Sequence, residues 1–431
     1  MKAPLSSFGF VTLVFLLLCA PLVLSTRTGG YADDEDLYHL PAVRQIRAHW
    51  PALDLTRDAL SAVSPGYPYV LATVSLVTGS NRLSLRIVTW ALSLGLLALL
   101  WRLFPASSPS LAAAAVLPLA CSNFFVKSAS WIVTDNPGLL CATGALAAAF
   151  LLTGQRGGWI GGLASGAATF MRQVHVWTLF PLSCRALQQV NSPTRPKSRT
   201  LLFVPLLIPL SVLSLLAAHW HGLVPPAWQA VHELHGSFSA ASLSYLLAIF
   251  FLLGIFYQLS LPAGSFWADW CNPSTLGTGA LGLVLVLSSP TDYNVAAGRW
   301  GGYLWSAASL FPVLGHRSVL FLVLTPLGAA LLAVLTRQLV RQAGNELAWL
   351  WLGSFLAWAA TTLSNRLVFH RYFEPTILIF LIFWILLMVR GLTTQPAVRL
   401  TRLYALALGQ GLITLATAHY QTYGRSLFTG S

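Results

Sequence analysis

Four consecutive carboxylates, Asp33, Asp34, Glu35 and Asp36, stand in the segment Tyr31-Ala32-Asp33-Asp34-Glu35-Asp36-Leu37-Tyr38-His39-Leu40-Pro41, just after an apolar run. Crowding of this kind at the edge of a low-dielectric medium disfavours full ionisation, which suits a general base. The same oxygens could hold a divalent cation. A solvated acidic turn is the simpler alternative, since acids are favoured in the first turn of a helix. His39 could orient a carboxylate or lock the loop. Arginine's planar fork pairs with two oxygens of an anion and stays charged. Arg172, Arg366 and Arg371, the last two flanking His370, are candidates; snorkelling to lipid headgroups is the alternative for each. Asp135, in Trp131-Ile132-Val133-Thr134-Asp135-Asn136-Pro137, either assists at such a site or caps a helix.

The elements that must position these side chains are built for lipid. The chain has 431 residues, 56% hydrophobic and only 9% charged, with mean hydropathy +0.70. A soluble domain carries about 25% charged residues, so the composition is that of a polytopic membrane protein. Disorder, coiled coil, collagen and a secreted disulfide scaffold are excluded. Five cysteines (Cys19, Cys121, Cys141, Cys184 and Cys271) lie mostly in apolar runs without a CxxC pair, so neither a disulfide framework nor a zinc site is expected. His219, His221, His232 and His235 form no compact ligand pattern. The net charge of +13 reads as lysine and arginine gathered in cytoplasmic loops, not as nucleic-acid binding.

A spanning helix takes about 20 apolar residues. Runs at 8–24, 83–103, 111–126, 137–152, 159–170, 176–190, 201–218, 243–261, 276–288, 319–335, 347–363, 376–389 and 403–418 give about thirteen spans in a single all-α domain, 1–431. The first run could be a signal peptide, but Ala20-Pro21 disfavours a clean cleavage site. The run at 68–78 is too short to cross and reads as an interfacial helix. Alternation places Lys2, Arg102, Arg156, the 185–199 cluster, Arg337, Arg341 and the 390–402 cluster on one side, which is then cytoplasmic. Residues 191–199 form a short polar linker. The opposite face receives the long first loop, 25–82, most of the acids, and Arg172, Arg299, Arg317, Arg366 and Arg371. The stretch from Asp292 to Tyr303 is rich in aromatics and amides, as a sugar-binding loop or an interfacial aromatic belt would be.

One span, then an outer loop with a juxtamembrane acidic motif and two interfacial helices, then many spans on short loops, resembles the GT-C glycosyltransferases. Within that superfamily the closest resemblance is to the dolichyl-phosphate-glucose α-1,2-glucosyltransferases of lipid-linked oligosaccharide assembly. Their Tyr-x-Asp-Glu-x-Phe-His-x-Pro motif is matched by Glu35-Asp36-Leu37-Tyr38-His39-Leu40-Pro41, with the two acids exchanged and extra acids before them. Their Pro-Pro-Gly turn is similar to Ser64-Pro65-Gly66. Their Arg-Gln-Thr-Asn-x-x-Trp motif is similar to Arg172-Gln173-Val174-His175-Val176-Trp177, one residue shorter, with His175 near the Asn position. A late Arg-Tyr-Phe is matched by Arg371-Tyr372-Phe373.

The resemblance implies an inverting-type transferase that moves a hexose, glucose by the closest branch, from a polyprenyl-phosphate donor to a glycan or glycolipid acceptor on the non-cytoplasmic face. It implies Glu35 or Asp36 as base, with Asp34 and Asp33 next. Substrate contacts would come from His39, Arg172, Gln173, His175, Arg366, His370, Arg371, Tyr372 and Asp135. No cofactor is required by the sequence, though a divalent metal is compatible with the acids. Partners are the lipid-linked donor, the acceptor and membrane lipids, with no nucleic acid. Two alternatives stand beside this reading: a GT-C enzyme using mannose or an aminosugar, and a transporter or flippase of lipid-linked sugars. Ionisable residues collected at one membrane edge, without repeats, favour the enzyme. Short loops and the lack of a retention signal point to a bacterial inner membrane over the endoplasmic reticulum.

Overall fold

A computed structural model describes residues 4–25, 31–190, 200–232, 239–261, 266–390 and 398–424. The main helices are α1 (Pro4–Val23), α2 (Leu40–His49), α3 (Gly66–Thr78), α4 (Arg82–Arg102), α5 (Pro109–Cys121), α6 (Asn123–Ser130), α7 (Asp135–Leu151), α8 (Gly154–Met171), α9 (Leu179–Val190), α10 (Leu207–Trp220), α11 (Ala240–Ser260), α12 (Pro273–Ser288), α13 (Val319–Ala343), α14 (Asn345–Thr362), α15 (Glu374–Arg390) and α16 (Leu400–Thr414). Strand structure among the described residues is confined to one antiparallel hairpin, β1 (Val313–Leu314) with β2 (Arg317–Ser318), and an isolated bridge between Asn294 and Arg299. The all-α reading of the sequence holds.

Four helical segments are long and apolar enough to cross a bilayer: Arg82–Arg102, Ala240–Ser260, Val319–Ala343 and His370–Arg390. The tandem of α5 and α6 makes a fifth if taken as one span. Several of the other apolar runs do not form single continuous helices. The 111–126 run divides at Ser122, whose side chain caps α6 by accepting the Phe125 N–H. The 176–190 run opens as a 3-10 turn, Gln173–Thr178, and the 201–218 run opens with two such turns before Leu207. Helix α3, at 13 residues, is about 20 Å long, too short for the roughly 30 Å of a hydrocarbon core. The 191–199 linker and His235 lie outside the described residues.

The chain packs into two compact units. The first comprises Met1–Leu103, Ala120–Val231 and Leu408–Ser431; the second comprises Phe104–Leu119 and His232–Ala407. In the first unit α7 lies along α8, and α8 along α10. Small residues allow this: a Cβ on Gly162 would sit 2.4 Å from the Pro205 carbonyl oxygen, the close backbone approach that lipid-embedded helices use where burial of apolar surface supplies little drive. In the second unit α13 packs on α11, α12 and α14. Helix α15 is apolar all round, as a helix enclosed by its neighbours must be. Two buried indoles find acceptors inside this unit, Trp384 on the Leu335 carbonyl and Trp351 on the Phe380 carbonyl, both at 3.0 Å.

The loop between α2 and α3 is fastened by carboxylates. Asp54 accepts the N–H groups of Thr56 and Arg57 at 2.9 and 3.0 Å. Buried Asp58 accepts from Arg57, from the Asp54 N–H and from Gln45. Hydrogen bonds from the Arg57 and Thr56 N–H groups hold the Asp54 carboxyl below its ordinary value. Burial pushes the Asp58 carboxyl up, but the bonds from Arg57, Asp54 and Gln45 outweigh it and leave it lowered too.

Two predictions follow from this packing. A Cβ on Gly328 would lie 2.0 Å from the Leu247 carbonyl oxygen where α13 crosses α11. Gly328→Leu therefore costs about 1–3 kcal/mol or more by overpacking, to be seen as a lowered thermal midpoint in detergent; an unchanged midpoint would mean that the two helices do not meet there. Groups whose carboxyl pKa is depressed on folding add stability that is present above the unfolded pKa and lost as pH falls through the folded one. Hydrogen-exchange protection at Thr56–Asp58 is expected to hold from neutrality to about pH 5 and to fall below about pH 4, and Asp58→Asn should flatten that fall. Protection constant to pH 3 in the wild type would remove the carboxylates from the account.

Candidate functional site

The acidic segment runs from a short helical turn, Tyr31–Asp34, into a π-helical one, Glu35–His39. Its orientation is set from α4, where Arg82 and Arg86 stand one turn apart on one face. Arg86 is 1% exposed and Glu35 0%. The guanidinium donates to the carboxylate from Nε, at 2.9 Å to Oε2, and from Nη2, at 2.8 Å to Oε1. Its Nη1 binds the Val23 and Ser25 carbonyls at 3.2 and 2.6 Å. Glu35 accepts in addition the Ile132 N–H at 2.8 Å and lies 3.1 Å from Arg82 Nε. Arg82 also pairs with Asp36, and the two side chains remain 36% and 27% exposed. Asp34 is half-buried, Asp33 exposed and His39 buried.

The Ser64-Pro65-Gly66 turn meets the Arg172 motif. Gln173 accepts the Ser64 N–H at 3.1 Å and donates to the Ala62 and Leu223 carbonyls at 2.9 and 3.0 Å. Ser64 Oγ donates to the Phe170 carbonyl, and a Cβ on Gly66 would lie 2.0 Å from that same oxygen, so only glycine fits. Gln173 thus fastens loops in this structure. Asp135 is the first residue of α7, with Thr134 at the cap position; its carboxylate pairs with Arg172, both side chains being mostly buried. His175 is 5% exposed, and neither ring nitrogen has a hydrogen-bond partner among the described residues. Burial, with the Arg172 charge adding to it, pushes its pKa down to about 3, so the imidazole is neutral at any working pH. The ring packs on Gly138, whose Cβ would stand 2.8 Å from Nε2.

In the first unit, therefore, the acidic segment, the Ser64 turn, Asp135 and the Arg172–His175 stretch are joined through a few bonds, with the Ile132 N–H three residues from Asp135. The second unit holds the rest. His370 lies between Glu374, at 2.8 Å from Nε2, and the Tyr245 hydroxyl, at 3.0 Å from Nδ1, all buried. Arg371 lies over the rings of Tyr372 and Phe369, 5.3 and 5.8 Å from their centroids. Exposed Arg366 donates to the Ala296 carbonyl at 2.9 Å, and Arg299 pairs with Asp292 at 2.7 Å.

Sequence reasoning missed Arg82, Arg86, Tyr245 and Glu374. The available signals were two arginines four residues apart on an apolar helix, and a His-x-x-x-Glu at the start of another. No group of three or more His, Cys, Asp or Glu among the described residues is placed to hold a metal ion. Of the consecutive acids, Glu35 and Asp36 face guanidinium groups. No protein-family model matches the chain, and no curated protein or solved structure matches it.

Glu35→Gln strands the buried Arg86 charge. Breaking one partner of such a pair costs about 3–5 kcal/mol, whereas replacing both by apolar groups is often near neutral. Thermal unfolding in detergent should show a large drop for Glu35→Gln and much of it regained in Glu35→Leu/Arg86→Met. Wild-type melting of Glu35→Gln would mean that the carboxylate is no anchor.

Proposed function

We propose that this protein is a GT-C-type membrane glycosyltransferase that moves a hexose, glucose in the first instance, from a polyprenyl phosphate to a glycan or glycolipid acceptor on the non-cytoplasmic face of a bacterial inner membrane. In this reading the remaining apolar helices complete a set of about thirteen crossings. The observation that carries it is the meeting, in one unit, of three short motifs far apart in sequence: the acidic segment, the Ser64-Pro65-Gly66 turn and Arg172-Gln173-Val174-His175. They leave half-buried carboxylates beside half-buried guanidinium groups.

Transfer from a phosphate-linked sugar needs a base for the acceptor hydroxyl and positive charge for the departing lipid phosphate. Glu35, enclosed by Arg86, Arg82 and the Ile132 N–H, serves as the anchor in this assignment. Asp36 is the base: the shared Arg82 fixes its position, and it still reaches solvent. An arriving donor phosphate competes for the Arg82 guanidinium and frees the Asp36 carboxylate to take the acceptor proton. Attack of the acceptor oxygen on the anomeric carbon, opposite the leaving phosphate, inverts that centre. Arg172, drawn off Asp135 by the same kind of exchange, stabilises the leaving phosphate. Neutral His175 packs beside it against Gly138 and adds no competing charge.

The test uses protein in nanodiscs with radiolabelled polyprenyl-phosphate glucose, mannose and aminosugar donors and a crude lipid-linked acceptor pool. One donor should be consumed, with the rate falling about 10²–10⁴-fold in Asp36→Asn at wild-type melting and also falling in Arg172→Ala. Donor that stays intact yet crosses the membrane would replace the transferase by a transporter. A fully active Asp36→Asn would move the base to Asp34 or Asp33.

A further inference from the structure

The β1–β2 hairpin turns through Gly315 and His316, both at positive φ (53° and 64°), the requirement of a two-residue type I′ turn. Two-strand ribbons this short are not stable alone, and this one is clamped. Arg317 donates to the Gly315 carbonyl at 2.5 Å and to the Leu287 carbonyl, at the end of α12, at 2.7 Å. The N–H groups of Thr291 and Asp292 both bind the His316 carbonyl, at 2.9 and 3.2 Å. So fastened, the segment still holds out apolar side chains: Leu310 is 85% exposed, Leu314 60%, Val313 48% and Phe311 45%. Apolar exposure on a braced element calls for a partner.

The adjoining helix says which partner. Between Arg317 and Arg337 the chain carries no charge over nineteen residues, 318–336. At 1.5 Å per helical residue that is about 28 Å, the thickness of a hydrocarbon core. The two arginines therefore bracket the core, and Arg317 marks the headgroup level at the hairpin end. Two paired residues reach only about 7 Å along a strand, within the roughly 5–8 Å of interface on each side of a bilayer. Helix α12, whose end Arg317 holds, exposes Leu281, Val284 and Leu287 on the approach to the same level.

We infer that the hairpin Ser309–Ser318 is a monolayer anchor: Leu310, Phe311, Val313 and Leu314 enter the boundary between lipid headgroups and acyl chains, while His316 stays in water. The partner is the lipid surface itself, and the anchor fixes the depth of α12 and α13. The inference stands independently of the proposed transferase activity.

Spin labels at Leu310→Cys, Leu314→Cys and His316→Cys, each with Cys271→Ser to remove the exposed thiol, are read by power saturation in the full-length protein. The samples are phosphatidylcholine–phosphatidylglycerol nanodiscs, with oxygen and a water-soluble nickel chelate as relaxants. Labels at 310 and 314 should show a higher oxygen-to-nickel accessibility ratio than the label at 316. Equal nickel access at all three positions would place the hairpin in water and overturn the inference. Protection of 310 and 314 from both relaxants would overturn it in favour of a protein partner or a second copy of the chain.

Discussion

An ionised carboxylate with no solvent exposure, next to helices built for lipid, can persist only if its counter-charge is buried with it. Glu35 and Arg86 meet that condition. The guanidinium serves the carboxylate with two of its nitrogens and spends the third on the Val23 and Ser25 carbonyls, where α1 ends and no intrahelical donor remains. One side chain thereby ties the end of the first helix, the acidic segment and α4 together, and Glu35 extends the tie to Ile132. Such a pair adds little net stability over apolar residues of the same volume. Its effect is to make one arrangement of the first outer loop far better than any other, because every shifted register leaves a charge unpaired.

The same economy recurs near several other helix ends. Asp135 with Arg172, Asp292 with Arg299, and His370 between Tyr245 and Glu374 are each small groups of polar atoms paired within their own unit. Away from those ends the interior polar atoms are mostly indoles, hydroxyls and amides, and several of the indoles donate to backbone carbonyls, as Trp305 does to Val368 at 2.8 Å. That division is what a medium without water demands, since an unmet polar group there costs several kcal/mol. It also separates roles: fully enclosed pairs hold geometry, and half-exposed pairs such as Arg82 with Asp36 can exchange partners.

Hydropathy made the fold class legible because 9% charge cannot clothe a water-facing surface. The acidic segment and Arg172 stood out because their types are rare in such a chain, and the structure does bring their surroundings together. Which carboxylate is buried was not legible: Asp33, Asp34, Glu35 and Asp36 look alike until the register against α4 is known. Arg86 was absorbed into an apolar run, since a window average hides one charge among twenty residues. Helix breaks were missed for the complementary reason. Apolarity continues across Ser122 and through the 3-10 turn Gln173–Thr178, while hydrogen-bond direction changes. His370 was noticed, but its partner at the fourth following residue was not, because Glu374 reads as an ordinary acid in the first turn of α15.

The separation of Glu35 from its partners along the chain has a bearing on biogenesis. Arg86 follows it by 51 residues and Ile132 by 97. At about 5–20 residues per second, Arg86 lags by roughly 3–10 s and Ile132 by roughly 5–20 s. Until the two arginines of α4 arrive, α1 can already lie in the bilayer while the carboxylate lacks its buried counter-charge and must remain hydrated. The acidic segment is thus made well before it can dock, waiting at the water's edge until α4 and the chain beyond α6 have been delivered.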